Sequence, residues 1–183
     1  MNNLLLLRHS QSLWNKQRRF TGWADIELTK QGRSQAELAG KLIKDLNIEF
    51  DAYFTSVQIR AIDTLAIILD VLDKKNSKIE KAWELNERHY GALTGLSKDE
   101  MIKKHGKQQV HIWRRSFDVP PPPMEKTHPN HPFKYKAYIN IPVSKIPSSE
   151  SLKNTFERVM PYYEENIKPL LSSNKNILIS AHG

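Results

Sequence analysis

The chain contains no cysteine, which excludes disulfide stapling, thiolate catalysis and sulfur-ligated metal sites. It also has no long hydrophobic run. The apolar stretch Leu4 to Leu7 runs straight into Arg8, too short for a signal-peptide core or for the roughly 20 apolar residues of a membrane span. A cytoplasmic protein without a membrane partner is the expectation. A basic block interleaved with aromatics is missing too. The formal net charge of +8 is scattered over lysines such as Lys41, Lys44, Lys74, Lys75, Lys103, Lys104 and Lys107, so no nucleic-acid face is expected. No internal repeat is present, and the only low-complexity segment is Pro120 to Pro123.

What is present fits one globular domain. At 183 residues, 39% hydrophobic and 26% charged, the chain is large enough to bury a core and too short for two. Asn3 to Arg8 reads as a buried strand. From Thr29 a helix is predicted, with Ala36, Ala39, Leu42, Ile43 and Leu46 as its apolar stripe. Phe50 to Thr55 reads as a second strand, after which Ser56 is placed to cap a buried helix from Val57 to Leu72. Ile79 to Trp83 suggests a third strand. Ser97 with Glu100 has the form of a capping box, and Gln109 to Arg115 again reads as helical. Residues 119–149 are rich in Pro, Lys and His without apolar periodicity, as in a long loop or lid. Ser151 to Leu171 is helical with Pro161 and Pro169 set to kink or split it, and Asn176 to Ala181 is a last buried strand. This alternation predicts a three-layer α/β/α domain around a mostly parallel central sheet, with its site outside the carboxyl ends of the strands.

Two of the predicted strands end in histidine, at Arg8-His9 and at His182-Gly183. If those strands are neighbours, His9 and His182 share one crevice, with Arg8 and Arg60 available to join them. This residue set suits phosphoryl chemistry: a guanidinium matches phosphate oxygens, and a neutral imidazole can attack phosphorus. Singly, each residue also has a bland reading, Arg60 as a snorkelling helix residue and Glu87 as the surface partner of Arg88.

Several segments resemble one family in order and spacing. Leu6-Leu7-Arg8-His9-Ser10-Gln11-Ser12-Leu13-Trp14-Asn15 resembles the Arg-His-Gly signature of the histidine phosphatase superfamily. Arg19 to Trp23, Thr55-Ser56 through Arg60-Ala61, Leu85 to Leu96, Trp113 to Asp118 with the four prolines, and Ala181-His182-Gly183 look like segments of its bisphosphoglycerate-dependent phosphoglycerate mutase family. The resemblance implies a phosphoglycerate mutase-like fold and a glycolytic and gluconeogenic isomerase. Catalytic roles would fall to His9 as nucleophile, to Glu87 as proton carrier, and to His182, Arg8 and Arg60 around the moving phosphoryl group. Substrate contacts would come from Arg8, Ser12, Asn15, Thr21, Gly22, Arg60, Glu87, Tyr90, Lys98, Arg114, Arg115 and Gly183, with Arg114 and Arg115 as an adjacent guanidinium pair. It further implies 2,3-bisphosphoglycerate as priming phosphoryl donor, no metal, phosphoglycerates as small-molecule partners, and a homodimer or homotetramer. His89, His105, His111, His128 and His131 are left as structural or solvated.

The chain departs from the family at Ser10, where the signature has glycine and where serine would strain the loop or narrow the pocket, and mildly at Gln11. The family continues beyond the Ala181-His182-Gly183 motif with a turn, a helix and a further segment, so 1–183 reads as a single domain shortened at its C-terminus, with apolar sheet surface uncovered. A phosphatase or bisphosphoglycerate mutase of the same superfamily, and a non-catalytic anion-binding remnant, are the alternative readings.

Overall fold

In the computed structural model, which describes residues 2–183, the Leu run forms strand β1 (Leu4–Arg8) and lies parallel to the last strand, β4 (Ile177–Ala181). With β2 (Ala52–Thr55) and β3 (Ile79–Lys81) they make a four-stranded sheet of order β1-β4-β2-β3, parallel throughout. Such a sheet must be covered on both faces, which is why Ile177, Leu178 and Ile179 are all apolar. Alternation sends Leu178 to one core, with Ile43, Leu65, Ile68 and Leu69, and Ile177 and Ile179 to the other, with Phe54 and Ile167.

The first core lies under helices α2 (Lys30–Lys44) and α3 (Ile59–Val71), which follow the short α1 (Leu13–Lys16). The stripe that α2 buries is Gly32, Ala36, Gly40 and Ile43. Leu42 and Leu46, expected on that stripe, are 60% and 51% exposed. Close approach decides the matter: a Cβ at Gly40 would lie 2.9 Å from Val71 Cβ, so small residues, not leucines, face α3. Ser56 is likewise not the cap of α3. That helix begins at Ile59, whose N–H donates to Asp25 Oδ1 at 2.7 Å, so the cap arrives from a distant segment and leaves the Ser56 hydroxyl for other use.

Helices α4 (Lys98–His105) and α5 (Lys107–Arg115) follow. Ser97 accepts from the Glu100 N–H at 3.3 Å, one half of the expected box. Residues 119–149 contain three short 3₁₀ turns, Pro132–Lys134, Lys136–Tyr138 and Val143–Lys145. Tyr138 and Ile141 bury against Trp23, and the Tyr138 hydroxyl donates to the Trp23 carbonyl at 2.6 Å. These anchors have no period and were invisible to periodicity. The two prolines split the last helical stretch into α6 (Leu152–Tyr162), a π turn (Tyr163–Ile167) and α7 (Lys168–Ser172), since Pro161 removes a donor and crowds the preceding turn.

On the outer face of β1, Leu4 is 38% and Leu6 67% exposed. With Leu152, Val159, Met160 and Tyr163 they line an apolar cleft of about 360 Å³ that runs to His182. Full burial of such a leucine would stabilise by about 1.5–3 kcal/mol, so this face leaves stabilisation unused. Among the described residues no helix is long and apolar enough to cross a membrane.

Candidate active site

Because β1, β4 and β2 are adjacent and parallel, the residues that follow them meet at one sheet edge: His9, His182 and Ser56. The His9 N–H donates to the Ala181 carbonyl at 2.9 Å, extending the ladder by one bond. The two imidazoles lie with ring centroids 5.0 Å apart, as the neighbouring-strand reading requires.

His9 is buried, and its Nδ1 is 2.7 Å from the Ser10 carbonyl. A carbonyl only accepts, so Nδ1 carries the proton and Nε2 is left with a lone pair. Burial first, and then the charge of Arg60, push the His9 pKa down to about 3, against the opposing pull of the Ser10 carbonyl. The ring is therefore neutral at physiological pH, with its nucleophilic nitrogen defined. His182 is held by Ser56 Oγ at Nε2, 2.8 Å away. Its Nδ1 is buried without a partner among the described residues and lies 3.9 Å from Glu87 Oε2. Burial, then Arg60 and His9, hold its pKa well below the ordinary value.

Arg60 does not snorkel; its side chain is fully buried in the first turn of α3. Its Nη1 donates to the Ala24 carbonyl (3.0 Å), its Nη2 to the Gly22 carbonyl (2.9 Å), Gln58 Oε1 (2.8 Å) and Glu87 Oε2 (2.6 Å), and its Nε to His9 Nε2 (3.3 Å). A buried charge persists only when compensated in this way. Glu87 thus pairs with Arg60, and the bland pairing with Arg88 is not formed. Arg88 instead donates to the Arg114 carbonyl at 2.6 Å and stacks on the Tyr90 ring.

Ser10 brings no left-handed backbone: the positive-φ residues other than glycine are Arg18, Asn47, Asp73 and Asn174. Its N–H donates to Thr64 Oγ1 at 3.0 Å, and Thr64 in turn donates to the Arg60 carbonyl at 2.7 Å. The expected strain at this position is absent because the turn is made in an ordinary conformation.

Around this centre lies a cationic rim. Arg88 Nη1 and Arg114 Nε are buried donors without partners among the described residues. Lys98 sits over the Phe20 ring, and burial, then the charge of Arg114, lower its pKa. Arg8 closes the β1 end against Gly183, where a Cβ would lie 3.1 Å from Arg8 Cδ. Thr21 is buried next to Gly22, whose φ of +53° and whose separation of 3.0 Å from an added Cβ to Tyr90 N require glycine. Two expected contacts have other work: Ser12 and Asn15 form the capping box of α1, and Ser12 is fully buried. Arg115 is exposed while Arg114 is half-buried, because successive helical residues point about 100° apart. Ser56, Gln58, Trp23 and Thr64 also belong to the site, and the sequence carries no periodic or spacing signal for them beyond the Thr55-Ser56 motif, where the serine reads as a cap.

His9, Glu87 and His182 offer ligand atoms within 4.8 Å of one another. The Arg60 guanidinium, bonded to both His9 and Glu87, puts a fixed positive charge against this group. That favours an anion over a cation.

The buried neutral histidines set a pH dependence of stability. His9 and His89 have pKa values near 3 in the fold against 6.5 unfolded, both through burial first. Between these values the unfolded chain holds more protons, so stability falls as pH drops below 6.5, by about 1.4 kcal/mol per unit for each such histidine. Asp25, raised by burial, works in the opposite sense at lower pH. The urea midpoint should fall between pH 7 and pH 5, and His89→Asn should flatten that fall. An unchanged slope in the variant would show that His89 does not contribute.

Known proteins share this chain's sequence and fold. The family model of the histidine phosphatase superfamily (branch 1) matches residues 4–131, and the chain belongs to that superfamily. A 2,3-bisphosphoglycerate-dependent phosphoglycerate mutase of Pelagibacter ubique (strain HTCC1062) is 51% identical over 183 residues, covering 100% of this chain and 76% of the relative. One of Xylella fastidiosa (strain M12) is 52% identical over 180 residues, covering 98% and 72%. Within the superfamily the chain belongs with these 2,3-bisphosphoglycerate-dependent phosphoglycerate mutases. Among solved structures, a mycobacterial hydrolase matches with a TM-score of 0.74 at 21% identity, covering 100% of this chain and 74% of that one. A phosphoglycerate mutase from Bacillus anthracis str. Sterne matches at 0.68 and 22%, covering 100% and 75%. At such identities these structures speak to the fold alone.

Proposed function

We propose that this chain is a phosphoglycerate mutase that interconverts 3-phosphoglycerate and 2-phosphoglycerate through a phosphohistidine at His9, primed by 2,3-bisphosphoglycerate. The observation that carries the reading is the His9 Nε2 lone pair, neutral and buried, beside the Arg60 guanidinium and the Glu87 carboxylate. In the first half-reaction Nε2 attacks the phosphorus of the donor; the N–P bond forms as the P–O bond to the carbon skeleton breaks. The departing oxygen takes a proton that Glu87, a carboxylate in the resting protein, takes up from solvent as the anionic donor binds. In the second, a hydroxyl of the bound phosphoglycerate gives its proton to Glu87 and attacks the same phosphorus, the N–P bond breaks, and the ring returns to its neutral form.

Arg60, Arg8 and His182 surround the phosphoryl oxygens, where fixed positive charge and donors stabilise the spread negative charge of the transition state. The positive charge that a metal supplies elsewhere comes here from the arginines. Arg88 and Arg114, with their unpaired buried donors, and Lys98 beside them receive the carboxylate and the second phosphate. The reading carries a glycolytic and gluconeogenic role in the cytoplasm and a homodimer or homotetramer. The test is conversion of 3- to 2-phosphoglycerate with and without 2,3-bisphosphoglycerate. Turnover that requires the bisphosphate is expected, whereas release of inorganic phosphate faster than isomerisation would replace the mutase by a phosphatase.

A further inference from the structure

The segment that carries Glu87 belongs to no sheet. After the 3₁₀ turn Trp83–Leu85 the chain runs extended, and the carbonyls of residues 83–87 have no ladder to enter. Those of Trp83, Glu84, Asn86 and Glu87 converge instead on one side chain that is distant in sequence. Arg158 Nη1 donates to the carbonyls of Glu84 (2.7 Å), Trp83 (3.3 Å) and Asn86 (3.3 Å), and Nη2 to those of Asn86 (3.3 Å) and Glu87 (3.4 Å). Arg158 and Glu150 are only 7% and 4% exposed and form a bidentate pair, Nε–Oε1 2.7 Å and Nη2–Oε2 2.9 Å. Glu150 also fastens the residue two beyond Glu87: its Oε2 accepts from the His89 N–H at 2.8 Å, and its own N–H donates to the His89 carbonyl at 2.9 Å. Trp23 completes the clamp, with its Nε1–H on the Glu87 carbonyl at 2.7 Å and its ring 5.5 Å from the Arg158 guanidinium.

We propose that Arg158, locked by Glu150, is a positioning residue that fixes the Glu87 backbone and thereby aims its carboxyl for proton transfer. This rests on the assignment of Glu87 as the proton carrier. Arginine alone presents five N–H donors in one plane, enough to hold a carboxylate and several carbonyls at once. Lysine keeps the charge but has three donors and no fork, so Arg158→Lys removes the geometry more than the electrostatics. A misplacement of about 1 Å of a catalytic group costs on the order of 10²-fold, and the cost must appear only where a proton is needed.

The leaving group separates positioning from general damage. When 2,3-bisphosphoglycerate phosphorylates His9, the departing alkoxide needs the proton of Glu87; when acetyl phosphate does so, acetate leaves without one. Single-turnover phosphorylation of His9 should therefore slow in Arg158→Lys by about 10- to 100-fold with 2,3-bisphosphoglycerate and by less than about threefold with acetyl phosphate. Glu150→Gln, which keeps the acceptor for the His89 N–H, should shift both rates in the same pattern and covers the case in which Arg158→Lys does not fold. Glu87→Gln is the control and should show the widest split. If Glu87→Gln itself shows no dependence on the leaving group, the assignment of Glu87 fails and the positioning role falls with it. If Glu87→Gln shows the split while the folded Arg158 and Glu150 variants lose equally on both donors, or lose on neither, the positioning role alone is overturned.

Discussion

Replacing His9 with alanine is expected to lower the interconversion of phosphoglycerates by on the order of 10⁴-fold or more, the scale seen when a covalent nucleophile is removed. No neighbour can take over. His182 has its Nε2 committed to Ser56 and its Nδ1 turned toward Glu87, and the chain has no cysteine. The loss should fall on kcat, because the proposed substrate contacts Arg88, Arg114 and Lys98 are untouched. Stability should change in a way that distinguishes lost chemistry from lost folding. Since His9 resists protonation down to about pH 3 by burial and by Arg60, its removal should leave the protein relatively more resistant to acid than the parent between pH 6.5 and pH 4. A variant that is inactive and equally acid-sensitive would mean that the ring is not held neutral as described.

Arg60→Met should have the second largest effect, and on two quantities together. Removing one partner of a buried pair leaves the other uncompensated, which costs about 3–5 kcal/mol; here Glu87 is 13% exposed, and the Ala24 carbonyl loses the Arg60 donor, while the Gly22 carbonyl keeps Gln58 Nε2 and Gln58 Oε1 keeps the Glu87 N–H. The rate should fall on the order of 10³-fold, because this guanidinium is the positive charge bonded to His9 and such donors act on the charge of the transition state. The double variant Arg60→Met/Glu87→Gln removes the unpaired carboxylate and should recover part of the urea-unfolding stability. Because it also removes the proton carrier, the rate is read in the single variant under conditions where it is fully folded. A parental rate in folded Arg60→Met would show that Arg60 serves only as a structural partner.

Much of the sheet edge was legible in the sequence. Two histidines that directly follow short apolar strands, with an arginine in the next strand's helix, needed only adjacency of those strands to become a site, and the parallel pairing of β1 with β4 supplies it. Legible patterns were those with a period or a fixed offset: the strands, the Ser97 cap, the proline-split last helix. Features that depend on distant packing were not. Leu42 and Leu46 looked like core because of their spacing, yet the closeness of α2 to α3 demanded glycine and alanine there. Ser56 looked like a cap, yet Asp25 had taken the helix end. The clamp of Arg158 and Glu150 on Glu87 has no local signature, since its donors and acceptors lie some seventy positions apart in the chain.

A phosphohistidine at His9 is read most simply from the mass of the intact protein after brief mixing with 2,3-bisphosphoglycerate, followed by mapping of the modified peptide. A gain of one phosphoryl group, labile to acid, is expected on the peptide that carries His9, with no gain in His9→Ala. A protein that turns over phosphoglycerates without any such adduct, or that carries the group on His182 or on a hydroxyl, would contradict that expectation.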